Sequence, residues 1–449
     1  MPKTTASKTE AQVHNLVEQA LKLGADGADA VMFDSADVSV SYRLGHQEHI
    51  ERAENRGIGL RVMIGKRQAL VSSSDTSENA LLELASRAIA MAKVAPEDPF
   101  IQLAELTHTG DLPDLQIYDA HEPSVECLAE QARATEDAAR SVAGITNSEG
   151  ASASHGSYTI ALATSKGFTG SYRNSHHSLS VSVLAGEGTQ MERDHDYSVA
   201  RFLNDLRSPE QLGKNAAAKA LRRLNPKPIR SAKLPVIYEP DVARELLGTF
   251  ASAVNGVSVA RGTSFLKGKM DEKLFPDNIT LVDDPLRVKG LASKPFDAEG
   301  IRGQKRLMVE DGVLRSWFLD LRSSAQLGLK TTGHATRSLG SPPSPSCTNF
   351  YMENGANTPD TLMADIKDGL YITDLFGMGI NTVTGDYSQG AAGFRIENGK
   401  LTHAVNEITL AGHLLDMFAH LTPANDLSFR YGINSPTLRI EGMTIAAKQ

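Results

Sequence analysis

Pro226-Lys227-Pro228-Ile229-Arg230-Ser231-Ala232-Lys233 divides a chain of 449 residues into two unlike parts. The stretch is rich in proline and charge and poor in apolar side chains, which favours an extended connection over a helix or a central strand. Upstream of it, helical and strand periodicities alternate. Downstream, short strands separated by tight turns dominate. The pattern predicts an α+β protein: an N-terminal domain over 1–225 with a mixed sheet and helices, a linker over 226–233, and a mostly β, barrel- or sandwich-like C-terminal domain over 234–449. At ~150 residues per domain, the length accommodates roughly two to three domains.

Working upstream, Pro209 to Leu224 reads as a helix closed by Asn225-Pro226, and Ile145 to Leu184 as strands around the turn Ser165-Lys166-Gly167. A helix is predicted from Pro123 to Val142, with Pro123 in its first turn. Pro96 to Pro113 is a loop. Before it, Leu81, Leu82, Leu84, Ala85, Ile89 and Met91 mark the inward face of a helix from Ser77 to Lys93, with Ser74 or Asp75 as its cap. Gly65-Lys66 joins the alternating Ile58, Leu60, Val62 and Ile64 to a second strand ending at Val71, and Ala30 to Tyr42 alternates likewise. The first helix carries Val13, Leu16, Val17, Ala20, Leu21 and Leu23 and stops at Gly24. Working downstream, Val242, Leu246, Leu247, Phe250 and Val254 recur at helical spacing within Pro240 to Val254, so Gly248, Thr249 and Ser252 fall on the opposite face. Hairpins are expected around Asp311-Gly312 and Asn398-Gly399. A late helix is expected over Thr409 to Leu421, burying Leu410, Leu414, Leu415, Met417 and Phe418.

Hydrophobic residues make up 41%, enough for sizeable cores, and 54 acids against 46 bases leave a net charge of −8. That balance disfavours a chain built to neutralise phosphates, so no nucleic acid partner is expected. No run of Lys and Arg stands out beyond Arg222-Arg223 and Lys227 to Lys233. Two cysteines, Cys127 and Cys347, cannot make a disulfide framework or a thiolate-rich zinc site. The N-terminus, Met1 to Lys8, is polar and lacks the apolar run of a signal peptide, and no apolar stretch approaches the ~20 residues needed to span a bilayer. A cytoplasmic protein with no membrane partner is expected.

Chemistry-bearing motifs are weak. His46 and His49, three apart in an extended strand, point to opposite faces and cannot chelate one ion. His176-His177 and Asp194-His195-Asp196 read as hydrophilic turns or exposed strand ends. Ser264-Phe265-Leu266-Lys267 fits S-x-x-K, but the S-D-N element of that chemistry is absent and Lys330-Thr331-Thr332-Gly333 spoils the K-T-G. Asp283-Asp284-Pro285 and Phe296-Asp297-Ala298-Glu299-Gly300 look like turn formers more than an acid–base pair.

Several of these segments, taken in order, carry a resemblance. They are Gly57-Ile58-Gly59-Leu60-Arg61-Val62, Thr164-Ser165-Lys166-Gly167-Phe168 with Ser171-Tyr172-Arg173, and Gly262-Thr263-Ser264-Phe265-Leu266. The Asp283 and Asp297 motifs follow, then Thr332-Gly333-His334-Ala335, Pro343-Ser344-Pro345-Ser346 with Thr348-Asn349, Thr384-Gly385-Asp386-Tyr387-Ser388, and Asn398-Gly399 before Val405 to Ile408. No single piece is specific, but together the chain resembles the TldD/PmbA family, once labelled modulators of DNA gyrase.

The resemblance implies a metal-dependent peptidase built from two kinds of subunit. The catalytic branch carries H-E-x-x-x-H on a helix, with a further Cys ligand near the C-terminus. In this chain the corresponding positions are Gly248 and Ala253 for the two His and Thr249 for the Glu, and Phe429 to Pro436 contains no Cys. These are vestigial metal-site positions, and the chain resembles the other, PmbA/TldE branch. The resemblance therefore implies a catalytically inert subunit, with no catalytic residue, metal or cofactor of its own. Its implied partner is a TldD-type catalytic subunit holding zinc, in a heterodimer that takes unfolded or short peptides, with a homodimer as the state of the chain alone. Two rival expectations are a hydrolase with its own site around Asp297, Glu299 and His334, and a regulatory binding protein acting on the gyrase system.

Overall fold

The alternation in the N-terminal part builds one six-stranded antiparallel sheet in the computed structural model, which describes residues 3–105 and 112–447. Residues 106–111 of the expected Pro96–Pro113 loop, and Met1 and Pro2 of the polar N-terminus, lie outside the described residues. The strands are β1 (Gly27–Arg43), β2 (His46–Ile64), β3 (Arg67–Ser73), β4 (Ile145–Thr164), β5 (Thr169–Ala185) and β6 (Glu192–Ala200), in the order β3-β2-β1-β4-β5-β6. Side chains alternate across a strand, so Ala28, Ala30, Met32 and Val40 of β1 share one face. Helices α1 (Lys3–Lys22) and α2 (Glu78–Val94) cover one end of that face, and α3 (Val125–Arg140) and α4 (Pro209–Arg222) cover the other. Ser77, rather than Ser74 or Asp75, is the N-cap of α2. The opposite face of β1, with Val31 and Phe33, receives Phe296 and Leu339 from the C-terminal part.

Residues 226–233 are less of a free linker than their composition suggests. The Lys227 amide donates to the Ala404 carbonyl at 2.8 Å, Ile229 is buried, and Ala232 already opens strand β7 (Ala232–Tyr238). β7 lies between Asp368–Phe376, in parallel, and Leu438–Ala447, antiparallel. Lys400–His413 pairs with both Asp386–Glu397 and Leu438–Ala447, which closes these five strands into a small barrel. A second, five-stranded sheet contains Leu281–Asp283, Phe350–Met352 and Ile433–Asn434. Helix α5 (Pro240–Ala253) packs between the two. The two expected hairpin turns have both central residues in the left-handed region: Asp311 and Gly312 at φ 49° and 78°, Asn398 and Gly399 at 50° and 75°. That is the twist two-residue hairpins require. Among the described residues, no helix is long and apolar enough to cross a membrane.

Three expectations fail for one reason, that long strands absorb segments with no obvious alternation. Thr409 to His413 continues a strand, because Leu410 pairs with Gln389 on one side and Ile445 on the other; only Leu414–Ala419 is helical. His176-His177 sits in the middle of β5, where His177 is buried beside its cross-strand partner His155 with ring centroids 4.5 Å apart. Asp194-His195-Asp196 lies within β6, and Asp196 is buried and held by two bonds of 2.8 Å from Arg207. The His46–Glu51 segment is an exposed part of β2, as expected of a solvated edge.

The two parts of the chain are joined through a buried carboxylate. Arg61 Nε on β2 donates to Asp29 Oδ2 on β1 at 2.7 Å, and Arg337 Nη1 reaches Asp29 Oδ1 from the C-terminal part. All three side chains are buried. Burial alone would raise the Asp29 carboxyl, but the guanidiniums of Arg337 and Arg61 outweigh it and hold the carboxyl below its usual range. Two residues on, Leu339 lies across Gly57 and Gly59; a Cβ on Gly59 would overlap the Leu339 carbonyl.

Asp29→Ala leaves two buried guanidiniums unpaired and should cost about 3–5 kcal/mol in chemical denaturation. Gly59→Ala should lower the melting temperature by pushing residues 337–340 away, and a wild-type melting temperature would refute that contact. Burial lowers the pKa of His177 to about 4, helped by His155 and opposed by Asp119. The unfolded chain takes up this proton near pH 6.5. Stability from this site is therefore complete above pH 6.5 and drains as pH falls toward 4. His177→Phe should flatten that slope in a pH series of denaturant melts.

Candidate functional site

Helix α5 carries the positions that the sequence singles out. Pro240 occupies its first turn, and Val242, Leu246, Leu247 and Phe250 face the core. The Phe250 ring is fully buried among Phe275, Phe350 and Phe418, with centroids 5.6, 6.2 and 5.7 Å away. The opposite face presents Glu245, Gly248, Thr249 and Ser252 to an open cleft of about 370 Å³, whose far wall includes Leu375, Ile380, Thr382 and Tyr387. Both hydroxyls on this face turn back onto the helix. Thr249 donates to the Glu245 carbonyl at 3.1 Å and Ser252 to the Gly248 carbonyl at 3.0 Å, the usual way such side chains satisfy themselves mid-helix.

The three vestigial positions do not converge. Gly248 and Thr249 line the cleft, but Ala253 is buried in the core. Five residues turn an α-helix by about 500°, which leaves Gly248 and Ala253 roughly 140° apart. Ser252, at four residues, shares the Gly248 face. The C-terminal segment, where the resemblance implies a cysteine in the catalytic branch, does pass this point: a Cβ on Gly248 would lie 3.8 Å from Ile433 Cδ1. That segment offers a methyl group there. A hydrogen, a methyl group in the core and a hydroxyl bonded to its own helix do not fit a zinc ion, which takes nitrogen, sulfur and carboxylate ligands. Among the described residues, no three His, Cys, Asp or Glu side chains gather as a ligand set.

Beside the cleft lies a charged pocket of about 170 Å³ between α5, α4 and β6, with Glu245 and Leu375 lining both. Arg223 spans Asp194 and Asp374 at 3.3 and 3.1 Å, and the Tyr431 hydroxyl donates to Asp241 at 2.9 Å. Burial pushes the Glu239 carboxyl up to about 8, against the pull of Lys219 and with the help of Asp241 and Asp194. Sequence reading passed over this pocket. Its traces there are the Arg222-Arg223 pair and Asp194-His195-Asp196, which stay unconnected because the walls come from segments that no local pattern joins.

Asp297, Glu299 and His334 are brought near one another, but inside the protein. Asp297 accepts from the amides of Glu299, Ile301 and Ala335 at 2.9, 2.9 and 3.0 Å. Glu299 accepts from the Leu321 amide at 2.9 Å. His334 is held between Thr332 at 2.8 Å and Asp283 at 3.0 Å. All of these carboxylates and the imidazole are buried, and burial pushes the neighbouring Cys347 thiol up to about 12. Ser264 is equally committed, donating to the Ala253 carbonyl at 2.6 Å. These groups bind loops together and offer no open face to a substrate.

Comparison with known proteins places this architecture. Family models for the PmbA/TldA metallopeptidase domain 1, central domain and C-terminal domain match residues 28–92, 118–224 and 231–447. Metalloprotease PmbA of Escherichia coli O157:H7 is 35% identical over 451 residues, covering 98% of each chain. This chain belongs to the PmbA/TldD metallopeptidase family. A crystal structure from Bacteroides thetaiotaomicron, described as a modulator of DNA gyrase, superposes with a TM-score of 0.90 at 28% identity, covering 98% of this chain and 99% of the other. TldE from Thermococcus kodakarensis shares the fold, with a TM-score of 0.87 at 20% identity over 97% and 100% of the two chains. The PmbA/TldD domain 1 and central domain models fall on separate segments, yet both contribute strands to the one N-terminal sheet.

Two substitutions on α5 should move stability in opposite directions. Phe250→Ala should cost about 3–5 kcal/mol, since it empties a fully buried ring site. Gly248→Ala should gain about 0.5–1 kcal/mol, because its Cβ meets only an ordinary contact and the helix loses a glycine. Denaturant titration of both variants checks the assignment of the two faces.

Proposed function

We propose that this chain is the non-metal-binding subunit of a heterodimeric metalloprotease, in which it shapes the chamber where a TldD-type catalytic subunit degrades unfolded or short peptides in the cytoplasm. Zinc belongs to the partner in this reading, and this chain carries no catalytic residue and no cofactor. The observation that supports it is the outer face of α5. A cleft open to solvent runs along the helix that bears the vestigial positions, yet the residues that line it include no His or Cys; the helix face offers Glu245, a glycine and two self-satisfied hydroxyls. Such a wall can bound a substrate without activating water. Extended peptides suit a chamber of this kind, because their main chain supplies sequence-independent hydrogen bonds.

The test is peptide cleavage by the purified chain, alone and mixed with its catalytic-branch partner, together with elemental analysis after dialysis. The chain alone should hold no stoichiometric zinc and cleave nothing; the mixture should form a complex and cleave. Thr249→Ala should leave cleavage by the complex unchanged. One zinc per chain, cleavage by the chain alone, or loss of cleavage in Thr249→Ala with the complex intact would each overturn the proposal.

A further inference from the structure

The charged pocket beside the cleft holds two guanidiniums that pair with no carboxylate among the described residues. Arg244, on α5, lies 4.3 Å over the Tyr431 ring, and Arg222, at the end of α4, lies 4.6 Å over the Phe394 ring. Both line the same pocket. Stacking uses the flat face of a guanidinium and leaves its in-plane N–H groups available to a carboxylate. Neither makes a hydrogen bond or an ion pair among the described residues, and Arg244 Nε is buried without a partner. The nearby charges are otherwise occupied. Arg223 is spanned by Asp194 and Asp374, Asp241 is bound by Tyr431, and Lys219 lies 3.8 Å from Asp196. Burial favours the neutral acid at Glu239, and Glu245 sits exposed at the rim.

We propose that Arg222 and Arg244 anchor the C-terminal carboxylate of a peptide that runs from this pocket along the outer face of α5 into the cleft at Gly248 and Thr249. This rests on the reading of the chain as a substrate-shaping subunit. Glu245 and Leu375 line both cavities, so the two lie side by side along α5. Along α5, Gly248 and Ser252 follow Arg244 by four and eight residues, about 6 and 12 Å of rise. An extended peptide covers ~3.3 Å per residue. About two to four residues therefore separate the anchored carboxylate from the part of the peptide that faces Gly248 to Ser252. The anchor fixes the direction in which peptides lie.

Fluorescence anisotropy on the purified full chain tests this, using an alanine–serine hexapeptide labelled with fluorescein at its N-terminus, with either a free or an amidated C-terminus. The free acid should bind roughly ten-fold tighter than the amide, the effect of charge-assisted bonds to one carboxylate. Arg244→Gln and Arg222→Gln should each shrink that preference while leaving amide binding unchanged, and Arg244→Lys should restore part of it. Because Arg222 is exposed, its variant tests the anchor without disturbing the core. Equal binding of acid and amide to the wild-type chain would overturn the anchor and leave the cleft reading standing. Binding of neither peptide would overturn both.

Discussion

One carboxylate, Asp29, holds the two parts of this protein in register. It is buried on the central strand of the N-terminal sheet and gripped by Arg61 from the neighbouring strand and Arg337 from a loop of the C-terminal part. A buried charge of this kind is tolerated only when paired and hydrogen-bonded, so the position of Arg337 is tightly specified. The same loop lays Leu339 over Gly57 and Gly59, where no side chain would fit. Phe296 adds apolar contact with Phe168 and Tyr172 on that face. The charge sets the register, the glycines permit the close approach, and the aromatic rings fill the remaining space.

That docking creates the functional surface. With the sheet fixed against the barrel, α4 and β6 stand beside the outer face of α5, and the space between them becomes the charged pocket next to the cleft. The inner face of the same helix is anchored by Phe250 among three other phenylalanines. One helix thus serves as a core element on one side and as a wall of the open cleft on the other. The residues on the cleft face can therefore change without unseating the helix, whose hold on the core lies on the other side.

Much of this was legible in the sequence, and the failures are instructive. Helices with a clean apolar stripe and a proline in the first turn lie within a few residues of their expected bounds, α4 and α5 among them, because their 3.6-residue period is a local property. Both hairpin turns followed from Asp-Gly and Asn-Gly. The strand over Thr409 to His413 was hidden by a helix signal that begins just after it. The buried His155–His177 pair was hidden because its partners lie on different strands. At the candidate site, the helical period correctly put Gly248, Thr249 and Ser252 on one face. The five-residue spacing to Ala253 did not carry over, since that position turns into the core. Arg222 shows in the sequence only as half of a basic pair and Arg244 not at all, because their lack of an acidic partner among the described residues is a property of the assembled structure.

The separation between Asp29 and Arg337 also has a consequence for synthesis. They are 308 residues apart in the chain. At ribosomal rates of ~5–20 residues per second, roughly 15 to 60 s pass between the emergence of one and the other. For that interval the Asp29–Arg61 pair and the bare Gly57–Gly59 strip stay on the surface of the nascent sheet, unclaimed by their eventual covering loop. The N-terminal sheet must outlast this delay before it is covered, which places a premium on the helices already packed on its other face.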